Sequence, residues 1–163
     1  MTAKPLPAVH RSAIPSLIVR GAAHAIEFYK TAFGATEVMR LTDPSSRLVH
    51  AEIMIGDALI MLADEIPEWG NLAPESIGGS PVHIHLYVDD VDAIADRAIG
   101  AGAKLLFPVA DQFYGDRGGR LQDPFGHIWG IATHTEDVPV AEMQKRFDVL
   151  MAKQPGGSWS VDQ

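Results

Sequence analysis

Two histidines and a tyrosine alternate along one short stretch, His83-Ile84-His85-Leu86-Tyr87. Successive side chains of an extended chain point to opposite faces, so His83, His85 and Tyr87 share one face. Val82, Ile84, Leu86 and Val88 share the other, which is apolar and suited to packing under helices. The imidazoles are then left facing a cavity, where they can contact a ligand or move a proton. The competing reading is a pair of polar rings on a wet surface. His50 and Glu52 alternate with Ala51, Ile53 and Ile55 in the same way. A His and a Glu two residues apart can chelate a metal, or act as base and orienter, or form a solvated face. Tyr114-Gly115-Asp116-Arg117 is a third candidate. Its glycine permits close backbone approach, and Arg117 is suited to clamping a carboxylate or phosphonate. Asp116 and Arg117 are equally suited to fixing a turn. The candidate ligand-binding set is therefore His50, Glu52, His83, His85, Tyr114 and Arg117.

Other polar residues read as structural. His127 caps a tight turn, Trp129 fills core, and Met39, Met54 and Met61 are core filler. His134 and Glu136 have a metal-pair spacing, but carboxylates placed before a helix favour its N-terminus. No glycine-rich phosphate loop, nucleophile elbow or zinc-protease signature is present.

The elements that position these residues repeat. Strands are expected at Ala13–Val19, Ala35–Leu41, Leu48–Ile55 and Ala58–Ala63, with a helix at Ala22–Phe33 stopped by Gly34. A second set follows: strands Val82–Val88, Lys104–Ala110, Gly119–Gln122 and Ile128–Thr133, with a helix Val91–Gly100 capped by Asp89-Asp90. Ala25-Ile26 recurs as Ala93-Ile94, and Gly34-Ala35 as Gly102-Ala103, at one spacing of 68 residues. A common period and a common element order indicate duplication. The expected organisation is a first module over 13–64, a linker over 65–81, a second module over 82–135, and a C-terminal helix and tail over 136–163. The last helix spans Val140–Ala152, with Met143, Phe147 and Leu150 on one side, and a frayed tail follows it.

Composition narrows the function. The chain has 163 residues, 13 Lys and Arg against 21 Asp and Glu, and a net charge of −8. Such a surface repels phosphate backbones and anionic membranes, so nucleic-acid and membrane partners are not expected. The absence of cysteine rules out disulfides and thiolate chemistry and fits a cytoplasmic location. Residues 1–12 carry no apolar run, so they do not read as a signal peptide.

Ala25-Ile26-Glu27-Phe28-Tyr29-Lys30 with Ala32-Phe33-Gly34-Ala35, then His83 through Asp92, Gly115-Asp116-Arg117, and Asp123-Pro124-Phe125-Gly126-His127-Ile128-Trp129, occur in that order. With His134-Thr135-Glu136-Asp137-Val138 they resemble the glyoxalase/bleomycin-resistance (vicinal oxygen chelate) superfamily, PhnB-like subgroup. The resemblance implies an α+β fold of two βαβββ modules. Their curved eight-stranded mixed sheet surrounds a cavity, with helices outside and an extra C-terminal helix. It also implies a homodimer that binds a small organic molecule. Many such proteins hold a divalent metal. Carried over position by position, the ligand sites fall on Ile14, His83, Ile60 and Gly130, of which only His83 can coordinate. The first expectation is a binding protein with an incomplete metal site and no certain cofactor. The alternative is a metal-dependent lyase, isomerase or dioxygenase with a shifted ligand set.

Overall fold

The computed structural model describes residues 13–153. Residues 1–12, which include the expected leaderless N-terminus, and 154–163, the expected tail, lie outside them. The strands are β1 Ser16–Val19, β2 Thr36–Thr42, β3 Leu48–Ile55, β4 Ala58–Asp64, β5 His83–Tyr87, β6 Lys104–Asp111, β7 Asp116–Gln122 and β8 Ile128–His134. The helices are α1 Ala22–Phe33, a single turn α2 Pro74–Ile77, α3 Val91–Gly100 and α4 Val140–Lys153. The eight strands form two four-stranded mixed sheets, ordered β1-β4-β3-β2 and β5-β8-β7-β6. In each, one parallel pair is followed by two antiparallel ones.

The duplication is visible in the backbone. Ser16 pairs with Met61 in the first parallel pair and His83 with Ile128 in the second, so both pairs join residues 45 apart. Each module also secures the start of its helix in the same way. The Asp64 carboxylate accepts the Ala22 N–H at 2.7 Å, and the Thr133 hydroxyl oxygen accepts the Val91 N–H at 2.9 Å. Both caps sit on the last strand of their module, and each pair of equivalent residues is 69 apart in the sequence. Asp90 adds a side-chain cap to α3 by accepting from Ala93 N–H at 3.0 Å.

The cores follow the helical and strand periods. In the first module Ile26, Tyr29 and Phe33 of α1 are buried with Ile53, Ile60 and Leu62. Phe28, Tyr29 and Phe125 contribute edge-on and tilted ring contacts, at 5.4–6.4 Å between centroids. In the second, Val91, Ile94 and Ala98 are buried with Leu121, Trp129 and Ile131. The described residues divide into two compact units, 13–81 with the 124–127 turn, and 82–123 with 128–153.

Residues 65–81, expected as a linker, are folded onto the first unit. Ile66 and Ala73 are buried, and Ile66 bridges to Asn71. Glu65 accepts from Ala73 N–H at 2.7 Å, from the Ser76 hydroxyl and from Arg20 Nε at 3.0 Å. These bonds hold its carboxyl at about 2, well below the ordinary range, with the Ser76 bond the largest cause. Trp69 stays 62% exposed, as its surroundings in the sequence suggest.

Candidate functional site

Strand parity and register define the face that carries His83 and His85. Across β5, β8, β7 and β6, cross-strand partners form rows. One row is His83, Ile128, Gln122 and Lys104; the next is His85, Gly130, Arg120 and Phe107. A third joins Tyr87, Ala132, Gly118 and Ala110, and the last pairs Asp116 with His134. The opposite face carries Trp129, Ile131, Thr133 and Arg117 and lies under α3. His83, His85 and Tyr87 are exposed while Ile84 and Leu86 are half-buried, so the expected alternation is present.

Gly130 sets the seat of His85. A Cβ built there would stand 2.6 Å from His85 Nδ1 and 3.2 Å from its Cε1. The imidazole therefore lies against bare backbone, with the Tyr87 ring centroid 5.0 Å from its own. The Tyr87 hydroxyl donates to Asp116 Oδ2 at 2.7 Å. His134 Nδ1 donates to Asp116 Oδ1 at 2.8 Å, and its Nε2 lies 2.9 Å from Asp137 Oδ1.

The electrostatics follow from these contacts. Asp116 is 4% exposed. Burial pushes its carboxyl up, but the His134 and Tyr87 hydrogen bonds outweigh it and hold it below the usual range. Donation to Asp116 raises the Tyr87 phenol. His134 is raised first by its bond to Asp116 and then by its bond to Asp137. A ring between two carboxylates is favoured in its protonated form. Tyr87 and His134 are thus hydrogen-bonded to Asp116, and His85 adds a weaker charge attraction to it, whereas Arg120 lies against the Phe107 ring.

The sequence-derived set is only partly assembled. His83 and His85 share the face described above, and Tyr114 lies near it. Burial raises the Tyr114 phenol most; Asp116 adds to the shift and Arg120 opposes it. Arg117 is on the helix face. Its Nε and Nη2 each bond Asp92 at 2.8 Å, and its Nη1 bonds Asp111 at 3.2 Å, which raises the guanidinium further. Gly115, expected to admit a close neighbour, admits the chain itself. Its φ is +98°, and its carbonyl accepts the Thr135 and Glu136 N–H groups.

In the first unit, His50 Nε2 lies 3.3 Å from Glu52 Oε1, and Glu52 is 7% exposed. Met39 and Met61 are the cross-strand neighbours of Glu52, and Met54 shares its strand face. None of the three methionines is fully buried, so they line this face rather than fill the core beneath α1. His127, expected to cap its turn, instead reaches β1, its Nε2 lying 3.0 Å from the Ile18 carbonyl oxygen. Trp129 is buried and donates to Asp123 Oδ2 at 2.9 Å. His134, expected to serve the following helix, instead joins the sheet to Asp137. Three residues of the histidine face, Asp116, Arg120 and His134, were not in the expected set. Their signal is the period-two parity of β7 and β8, which appears once β7 starts at Asp116 rather than Gly119.

A divalent metal does not fit the family positions. The 69-residue offset of the helix caps makes Met61, one residue beyond Ile60, the counterpart of Gly130, and Ile14 the counterpart of His83. Only His83 offers a strong donor, and the space a side chain at 130 would occupy is filled by His85. Among the described residues no group of three His, Cys, Asp or Glu is placed to hold an ion.

Two βαβββ modules, each with its helix start secured from its own last strand, define a duplicated α+β protein of the glyoxalase type. The chain belongs to the Glyoxalase/Bleomycin resistance protein/Dioxygenase superfamily, whose model matches residues 10–131. An uncharacterised protein of Mycobacterium bovis is 43% identical over 133 residues, 80% of this chain and 88% of its own length. The solved structure of a gene product from Arabidopsis thaliana is 26% identical, with a TM-score of 0.61, over 76% of this chain and 98% of that one. The PhnB protein from Bacillus cereus, at 16% identity, shares the fold with a TM-score of 0.60, over 76% of this chain and 99% of its own. No helix among the described residues is long and apolar enough to cross a membrane.

Proposed function

We propose that this protein binds a small organic molecule on the histidine face of its second module, with His83 and His85 in contact with it. The observation that carries the reading is the state of β5. Its three ring side chains are exposed, Ile84 and Leu86 on the opposite face are half-buried although Val82, expected with them, is 65% exposed, and the His85 ring lies against the bare backbone of Gly130. Tyr114 is the nearby hydroxyl in this reading and Arg117 fixes β7 to α3; His50 and Glu52 are a candidate contact pair within the first module taken by itself. The working form is taken as a homodimer, as the family resemblance implies, and as cytoplasmic, which the cysteine-free sequence fits. No donor set among the described residues favours the metal-dependent alternative.

A thermal-shift screen against small aromatics, antibiotics and α-ketoacid adducts tests the proposal. A ligand at a hundred times its Kd stabilises the folded form by about 2.7 kcal/mol. Titration of the best compound into His83→Ala should show binding weakened about tenfold, with unfolding free energy within about 0.5 kcal/mol of wild type. A His83→Ala protein destabilised by several kcal/mol would make this residue part of the core and end the assignment.

A further inference from the structure

The chain is acidic overall, yet the histidine face is not. Two adjacent rows carry Lys104 and His83, then Arg120 and His85. The carboxylate that shares their face on β5–β8 is Asp116, already satisfied by His134 and Tyr87. Arg20, Arg40, Arg47, Arg117 and Arg146 each pair with a carboxylate. Arg120 does not. It is half-buried, and its guanidinium carbon sits 4.7 Å from the Phe107 ring centroid. A guanidinium stacked in this way keeps its in-plane N–H groups available, and those groups match two oxygens of one anion. Across the sheet, Gly130 contributes no side chain between Arg120 and His85.

We infer that the ligand is a small organic oxyanion, of the carboxylate or phosphonate class, with its charged oxygens held by Arg120 beside Gly130. This rests on the proposed binding role of the same face and narrows it to a chemical class. Lys104 adds positive potential one row away, and His85 supplies a ring donor across the glycine. Partial burial weakens solvent screening, so the guanidinium contributes more here than on an open surface.

The experiment is calorimetric titration of the intact protein with benzoate, phenylphosphonate and benzamide. Benzamide is the neutral match of benzoate. The expected result is that at least one anion binds about tenfold or more tightly than benzamide. Its affinity should fall as salt rises from about 0.05 to 0.5 M, while that of benzamide should not. Arg120→Gln should abolish the preference for the anion over benzamide. Arg120→Lys, which keeps the charge but loses the fork, should retain part of it. Equal binding of benzamide and the anions, no anion binding, or full anion affinity in Arg120→Gln would overturn the inference. If a neutral compound binds and His83→Ala abolishes that binding, the binding role survives and the anion class alone fails. If neither class binds, both fall.

Discussion

Three glycine-to-alanine substitutions in the second module should differ in cost because of what each new methyl group meets. At Gly130 the Cβ would stand 2.6 Å from His85 Nδ1. Ordinary contact begins at about 3.5 Å, so the ring must retreat by roughly 0.9 Å. It is the free end of an exposed side chain, and leaving its preferred rotamer costs about 0.5–1.5 kcal/mol. The loss of chain freedom in the unfolded state returns about 0.4–1 kcal/mol, so the net change should be under about 1 kcal/mol. At Gly118 the Cβ would stand 2.8 Å from the Ile131 carbonyl oxygen and 3.2 Å from Ala132 Cβ. That neighbour is the backbone of an interior strand, which cannot rotate away, and overpacking of this kind costs about 1–3 kcal/mol. At Gly115 the φ of +98° is strained for alanine, and the Cβ would stand 2.1 Å from the Glu136 carbonyl oxygen. Strain of about 1–3 kcal/mol adds to a backbone clash, so the loss should exceed about 3 kcal/mol. Urea unfolding at neutral pH measures all three, with unchanged m-values as the control. The expected order of stability is Gly130→Ala, then Gly118→Ala, then Gly115→Ala. Gly130→Ala should nonetheless weaken ligand binding as much as His85→Ala, because both remove the seated ring. If Gly130→Ala were as unstable as Gly118→Ala, His85 would be locked in place rather than resting on open backbone, and the steric argument would fail.

Two further outcomes follow from the hydrogen-bond pattern. His134 has a raised pKa between Asp116 and Asp137, so the folded state keeps a proton that the unfolded state releases near 6.5. The stability this provides is fully present below about 6.5 and is lost as pH rises through the folded value. His134→Asn should therefore flatten the fall of unfolding free energy as pH rises above about 6.5; an unchanged slope would remove the bridge from the account. Thr133→Ala should cost about 0.5–2 kcal/mol through loss of the α3 cap. Asp64→Ala should cost more, about 2–4 kcal/mol, because Asp64 also accepts the Leu48 N–H at 2.6 Å. Calorimetric unfolding that gave the reverse order would contradict the shared capping role.

Helices α1 and α3 are legible in the sequence to the residue, because glycine and a capping aspartate bound their apolar periods. β7 is not. Gly118-Gly119 is a weak strand signal, and Gly115 makes the preceding residues read as loop. Starting the strand at Gly119 hides its parity, and the parity decides which side chains share a face. With the strand extended to Asp116, Arg120 joins the histidines and Arg117 goes beneath α3. The 65–81 segment is illegible for another reason. Its order comes from Glu65 gathering Ala73, Ser76 and Arg20, contacts that no local period announces.

The two modules also show which parts of a duplicated unit are free to diverge. Parallel register and helix capping are kept, since each serves backbone groups that must be satisfied wherever they are buried. The cap itself changes from Asp64 to Thr133 without loss of the bond, because either oxygen suffices. On the faces away from the helices no such constraint applies. One carries His50, Glu52 and methionines, and the other carries basic residues around a glycine. A metal site needs several donors retained together, whereas an oxyanion site needs one well-supported guanidinium. A face that has lost the first can therefore acquire the second by single substitutions, and the residue at position 120 should say more about the ligand of this chain than the family's metal positions do.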